Sequence, residues 1–283
     1  MSGRLRWRKL VSGFMLTMTG VCAFVAVSVL FFILGYLVYN GGNSINWNFF
    51  TKLPTPVGES GGGMANAIVG SAKLLLLASL IGVPIGFFGG IYLAEFSGSK
   101  VAFVVRYAAD LLNGAPSIVI GIFAYALVVQ PFGHFSTIAG SFALGIMMIP
   151  ITLLSTEEFL RGVPRALREG SMALGASKWS TIIRVVVPAA YRGIVTAILL
   201  ALARVAGETA PLLFTALGNR YWSPGWNQPT ESLPHMVYIY ALSPYEDWQR
   251  QAWAAGLVLL GLILTVNIIA RVILSRGVAV PRS

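Results

Sequence analysis

E-G-S-M-A-L-G-A-S-K-W-S-T-I-I-R-V-V-V-P, Glu169 to Pro188, is a polar and basic interruption in an otherwise apolar chain. The pattern predicts two short helices meeting at a glycine. Pro164 suits the first position of a helix, which needs no backbone N–H. Ala166 to Leu174 then supply an apolar face through Leu167, Ala173 and Leu174. Gly175 can take the left-handed conformation that ends a helix, Ser177 can cap the next one, and Pro188 suits the start of a third. A helix-turn-helix of this kind between two apolar runs has the form of a plug for a socket on another protein. The plainer reading is a solvated loop, and periodicity alone does not separate the two.

What surrounds this stretch is membrane-like. Of 283 residues, 56% are hydrophobic and only 11% charged, against about 25% charged in soluble domains. Cys22 is the single cysteine and lies in an apolar run; it has no disulfide partner or ligand cluster and is expected to be a small buried side chain. The Arg-rich start leads into an uncharged run from Leu10 to Tyr39, far longer than the apolar region of a secretory signal, so it predicts an uncleaved first span.

About 20 apolar residues cross a bilayer as a helix, and six segments qualify: roughly 12–38, 66–94, 107–130, 136–155, 191–217 and 252–274. The expected fold is therefore an all-α membrane protein with six transmembrane helices. Its expected parts are 1–60 (first helix and a loop), 61–275 (the membrane domain) and 276–283 (a tail). The third segment contains the break Asn113-Gly114-Ala115-Pro116, and its polar start reads as a helix feeding the membrane from the cytoplasm. Lys and Arg set orientation. With the N-terminus inside, the outer loops hold only Lys52, Arg220 and Arg250; Lys73 and Arg204 lie in spans, and all other basic residues are inside. Both termini and the Glu169–Pro188 loop are thus expected in the cytoplasm. The net charge of +10 is explained by topology, without nucleic acid.

Gly82, Gly86 and Gly90 share a helix face, and small residues at that spacing let membrane helices approach closely. Pro84, Pro116 and Pro150 are each expected to kink or break a helix. Tyr221, Trp222, Trp226, Tyr238, Tyr240, Tyr245 and Trp248 follow the fifth span and read as interfacial anchors, with a docking surface as the alternative and Leu233 to Leu242 as a short interfacial helix. His134 and His235 sit on outer loops without partner ligands and receive no role. Lys73, about two turns inside its span, is expected to snorkel to the headgroups.

Arg204 and Glu208 lie deep in the fifth segment, A-R-V-A-G-E-T-A-P-L-L-F-T-A-L. Four residues apart, they would share a helix face. Charge at such depth marks a pathway by default. The arginine fork is permanently charged and matches phosphate oxygens. Glu208 repels an anion, so it either holds Arg204 in place or is protonated and donates a hydrogen bond. A permanent Arg204–Glu208 pair fixing helix orientation is the structural alternative. Thr209 and Pro211 add a hydroxyl and a kink at the same level.

The loop resembles the coupling loop of ABC-importer permeases: E-A-A, three residues, G, nine residues, I-x-L-P. Glu169, Gly175 and Pro188 match at full spacing; Gly170 and Ser171 replace the alanines, and Val185 and Val187 replace Ile and Leu. The A-R-V-A-G-E-T-A-P-L-L-F-T-A-L run is more specific. Together with G-G-G-M-A-N-A-I-V-G-S (61–71), I-Y-L-A-E-F (91–96) and A-P-S-I-V-I-G-I-F (115–123), it resembles the inner-membrane permeases of phosphate-specific ABC importers, the PstA type. The resemblance runs from about residue 60 to the last span. It implies a type I ABC importer permease in a prokaryotic cytoplasmic (inner) membrane. It implies a second, related permease (PstC type), an ATPase dimer (PstB type) and a phosphate-binding protein (PstS type). Pro164, Arg168, Glu169, Gly170, Ser171, Leu174, Gly175 and Pro188 would meet the ATPase, and Arg204, Glu208 and Thr209 would line the path of phosphate. ATP and Mg would belong to the partner. In agreement, the dipeptide Gly-Lys occurs nowhere, so the chain has no P-loop, and there is no His/Cys/carboxylate cluster of metal-ligand spacing. Nothing points to an enzyme. Rival readings are an importer of another oxyanion such as sulfate or molybdate, a secondary transporter, and a membrane enzyme or sensor.

Overall fold

The structure, a computed structural model, describes residues 2–59 and 61–276; the tail expected at 276–283 lies outside the described residues from 277 onward. It is nearly all helix. In chain order come α1 (Ser2–Gly41), α2 (Trp47–Thr51), α3 (Ala65–Glu95), α4 (Lys100–Gly114) and α5 (Ser117–Phe132). Then follow α6 (Thr137–Arg161), α7 (Arg165–Ala173), α8 (Lys178–Ala206), α9 (Ala210–Thr215), α10 (Leu233–Ala241) and α11 (Glu246–Arg276). Among the described residues, five helices are long and apolar enough to span a membrane, and the bent pair α4–α5 makes a sixth if taken as one span.

The third segment departs from the expectation. α4 and α5 meet at 107°, so 107–130 is no straight helix but part of a bent pair. Pro116 lacks an N–H and pushes the residue before it out of the helical region, and Ala115 and Pro116 are both extended (ψ 137° and 134°). α4 is capped by Ser99, whose hydroxyl accepts from the Ala102 N–H at 3.0 Å. It buries only Ala102 and Ala109. Pro84 and Pro150, by contrast, lie inside continuous helices; of the three prolines expected to interrupt, only Pro116 ends an element.

The fifth segment differs too. α8 begins well before 191, within the polar loop, and Pro188 stands, as expected, in the first turn of its regular α-helical part, Val187–Ala206. A wide turn over Ile182–Val186, with the Val187 N–H bonding to the Ile182 carbonyl, precedes it. That turn gives room to a ring that would clash with the carbonyl four residues back in an ordinary α-helix. At the other end the helix stops at Ala206, with Gly207 as its cap, and resumes only as the short α9.

The core is the seam between α3 and α6. A Cβ placed on Gly82, Gly86 or Gly90 would lie 2.6, 2.6 and 2.5 Å from the Cβ atoms of Met148, Thr152 and Thr156. There is no slack between these backbones, and close packing is what holds helices together where lipid offers no hydrophobic gradient. Gly86→Leu should therefore lower stability by about 2 kcal/mol or more, the cost of overpacking, seen as a reduced unfolding midpoint in detergent. Gly20→Leu, in open space, should leave the midpoint unchanged.

A second cluster packs α10 (Leu233, Met236, Tyr240) on Phe49, Met64 and the α11 residues Ala252, Ala254, Ala255 and Val258. One face of α10 is thus buried within the protein, while Tyr238 is exposed. α1 leans on α11 only near its C-terminal end, where Tyr36 meets Trp253 edge-on at 5.2 Å. Over most of its length it is bare, and Cys22 is exposed instead of buried, because the apolar run that holds it faces outward from the chain. α3 runs the full depth of the molecule; its 31 residues span about 46 Å. One end of the fold carries α7 and the start of α8, and the opposite end carries residues 45–63 and 217–245.

Candidate anion pathway and docking loop

The docking loop is built as its residues dictate. Pro164 stands at the N-cap of α7, one position earlier than expected. Gly175 has φ +86°. Its N–H bonds to the Met172 carbonyl at 2.9 Å, and the Ala176 N–H reaches the Ser171 carbonyl at 3.2 Å. This crossed pair satisfies the last carbonyls of α7 and requires a left-handed residue. Ser177 accepts from the Ser180 N–H at 3.3 Å and starts α8. The Ser171 and Thr181 hydroxyls join the two helices at 3.0 Å. Glu169, Gly170 and Leu174 all face solvent. Leu174 is 91% exposed and Trp179 61%, with Leu167, Met172 and Ile183 also bare. Large apolar side chains gathered on a basic loop are a feature of protein or membrane contacts. Trp179 was not foreseen, although an aromatic in a polar insert was a usable signal.

Arg168, like Ser171, points inward. It donates to the Glu95 carboxylate and, at 2.7 Å, to the Leu160 carbonyl. Beside it, Glu157 of α6 is buried and takes both Arg106, through two hydrogen bonds, and Arg161, at 2.9 Å. Burying a carboxylate requires such pairing. The hydrogen bond to Glu157 raises the Arg106 pKa, with burial opposing it. The Glu157–Arg161 spacing of four was visible in the sequence; Arg106 and Glu95 carried no such signal.

The intramembrane charges are not where a continuous helix would put them. Arg204 occupies the last turn of α8 and is exposed on the surface of the single chain. It donates to Asn113 Oδ1 of α4 at 3.4 Å. Glu208 follows the helix break, is half-buried, and forms no ion pair within 4.0 Å among the described residues. The expected Arg204–Glu208 face-sharing pair is therefore absent, because Gly207 ends α8 between them. Thr209 sits at the N-cap position of α9 without a side-chain cap bond. Its carbonyl receives the Leu212 and Leu213 N–H groups at 3.1 and 3.3 Å. Pro211 at the start of α9 backs against Gly121 of α5, where a Cβ would lie 2.7 Å from Pro211 Cα. The site thus gathers the ends of α4, α8 and α9 around one arginine, with an amide on one side of it. A guanidinium so placed can take an oxyanion through paired N–H donors.

Two further expectations change at the opposite end. Lys73 does not snorkel outward; it donates to the Ser223 carbonyl at 2.5 Å and lies 5.6 Å from the Trp226 ring, held under the 217–232 loop. His235 is not unpartnered. It is buried, 2.5 Å from Glu231, against Gly218 in the left-handed conformation. His134 faces Asn227 at 3.2 Å.

Comparisons with known proteins bear on this arrangement. The sequence model of the binding-protein-dependent transport system inner membrane component family matches residues 82–278. The phosphate transport system permease protein PstA of Yersinia pestis is 42% identical over 271 residues, covering 95% of this chain and 92% of its own. That of Xylella fastidiosa (strain 9a5c) is 45% identical over 272 residues, covering 95% and 94%. Similarity at this coverage extends into the first 60 residues, further than the motifs alone reach. Among solved structures, an inward-facing form of the MetNI methionine ABC transporter aligns with TM-score 0.57 at 20% identity, covering 73% of this chain and 95% of that one. This likeness concerns the fold.

Proposed function

Because the chain belongs to the family of binding-protein-dependent transport system inner membrane components, we infer that it is the permease subunit of an ATP-driven ABC importer of inorganic phosphate. The observation that carries this reading is similarity to phosphate permeases at 42 and 45% identity over 95% of the chain. It is a transport subunit, and ATP hydrolysis resides on a separate chain.

The α7 end lies in the cytoplasm with both termini, as the distribution of Lys and Arg demands. Its bare apolar side chains enter a groove on one of two ATPase subunits, which hold ATP and Mg. Arg204 contacts phosphate. A cation at membrane depth cannot face lipid cheaply, and Arg204 lies on the surface of the single chain. The path therefore runs between this chain and a second, related permease. Glu208 and Thr209 border it, and a phosphate-binding protein delivers substrate to the opposite end.

The test is reconstitution of the native complex in vesicles. Uptake of radiolabelled phosphate is expected only with ATP and binding protein. Unlabelled phosphate should compete, and a 100-fold excess of sulfate or molybdate should not. Uptake inhibited by either of those anions would reassign the substrate, and uptake without nucleotide would make the chain a secondary transporter.

A further inference from the structure

The two halves of the docking loop converge on one point. Arg168, from α7, binds the Glu95 carboxylate. Lys178, the first residue of α8, reaches the Glu95 carbonyl at 3.4 Å and lies 4.3 Å from the Phe96 ring. Glu95 is the last residue of α3 and its side chain is only 7% exposed. The free carbonyls at a helix C-terminus also favour nearby cations. The loop is thus fastened to the end of α3 by a cation from each of its helices.

α3 is fastened equally well at its other end. The Asn66 amide donates to the Asn219 carbonyl at 2.7 Å. The Ser71 hydroxyl accepts from the Leu233 N–H at 2.8 Å, and Lys73 holds the Ser223 carbonyl. A Cβ on Gly70 would overlap the Glu231 carbonyl oxygen, 1.9 Å away. One unbroken helix therefore connects the loop at one face of the membrane with the 217–233 segment at the other. The glycine seam packs it in direct backbone contact with α6 at Gly82, Gly86 and Gly90.

We propose that Glu95 is the joint through which the α7–α8 loop moves α3, and that α3 carries this movement as a rigid rod to the 217–233 segment. Glu95 is a positioning residue: it touches neither phosphate nor nucleotide. The proposal rests on the reading of the loop as the ATPase contact. By linkage the coupling is reciprocal, so binding events at the 217–233 segment must also alter nucleotide affinity.

The experiment uses the reconstituted complex with Glu95→Gln, which keeps size and removes charge. A fluorescent label is placed at Tyr221→Cys, an exposed position, in a Cys22→Ser background. Three results are expected. The ATPase still co-purifies. Stimulation of ATP hydrolysis by phosphate-loaded binding protein falls at least 10-fold, and uptake falls with it. The label's response to a non-hydrolysable ATP analogue is lost. The charge exchange Glu95→Arg with Arg168→Glu should restore at least half of each signal, and coupling lost while the ATPase still co-purifies is what a merely structural residue would not show. An unchanged label response in Glu95→Gln overturns the proposal, and so does an exchange variant that assembles without restored stimulation. Loss of assembly that the exchange does not restore also overturns it, since the residue would then serve folding alone. Failure of the underlying loop reading is seen separately, as an ATPase that stays bound when the exposed face of the loop is altered.

Discussion

Arg204→Ala is expected to lower ATP-driven phosphate uptake by about 100-fold while the complex assembles normally. That factor corresponds to about 2.7 kcal/mol, within reach of one charge-assisted contact from a fork of donors. Assembly should survive because Arg204 is exposed in the single chain, and the side-chain hydrogen bond it makes to Asn113 is long. Removing it leaves no buried partner without a bond. Had Arg204 and Glu208 formed a closed pair, truncation would have stranded a carboxylate at a cost of several kcal/mol, and a loss of uptake would have been ambiguous. Arg204→Lys separates charge from shape: a lysine keeps the cation and loses the planar fork. Its uptake should fall between wild type and alanine, with a raised KM. Wild-type uptake by the alanine variant would remove Arg204 from the pathway.

How much of this was legible beforehand depended on the range of the interaction. Apolar runs placed every spanning helix to within a few turns, since hydropathy is local. The Gly175 turn was legible for the same reason: φ +86° is a property of one residue and its chain neighbours. Prolines show the limit. Pro84, Pro116 and Pro150 were all expected to kink or break a helix, and Pro116, behind Asn113 and Gly114, is the one that ends an element. At Pro84 and Pro150 tight packing between α3 and α6 keeps the helices continuous. Arg204 and Glu208 were correctly seen as unusual residues. Their pairing was assumed from helical spacing and fails at Gly207. What remained hidden were bonds between distant residues. Arg106 and Glu157 are 51 apart, Glu95 and Arg168 are 73 apart, and Asn113 and Arg204 are 91 apart. No window along the chain contains either pair member's partner. Buried Glu231 and His235 were close in sequence, and a spacing of four on a buried helix start was a signal left unused.

Gly175→Trp should abolish co-purification of the ATPase and with it all uptake. No atom lies within 4 Å of a Cβ built at this position, so the chain itself has room for a side chain. The backbone does not: φ +86° disfavours any L-residue by roughly 1–2 kcal/mol. Gly175→Ala feels only that strain and should weaken ATPase binding by about 10-fold, since 1.4 kcal/mol is one decade. The tryptophan adds bulk on the side where Leu174 is 91% exposed, the surface proposed to enter the groove. The difference between the alanine and tryptophan variants therefore measures whether a partner fills the open space at Gly175. Equal retention of the ATPase by both, in pull-downs from solubilised membranes, would mean that this turn meets no partner. Full retention with alanine and loss with tryptophan would place the contact at the turn and show that the left-handed geometry is tolerated at small cost.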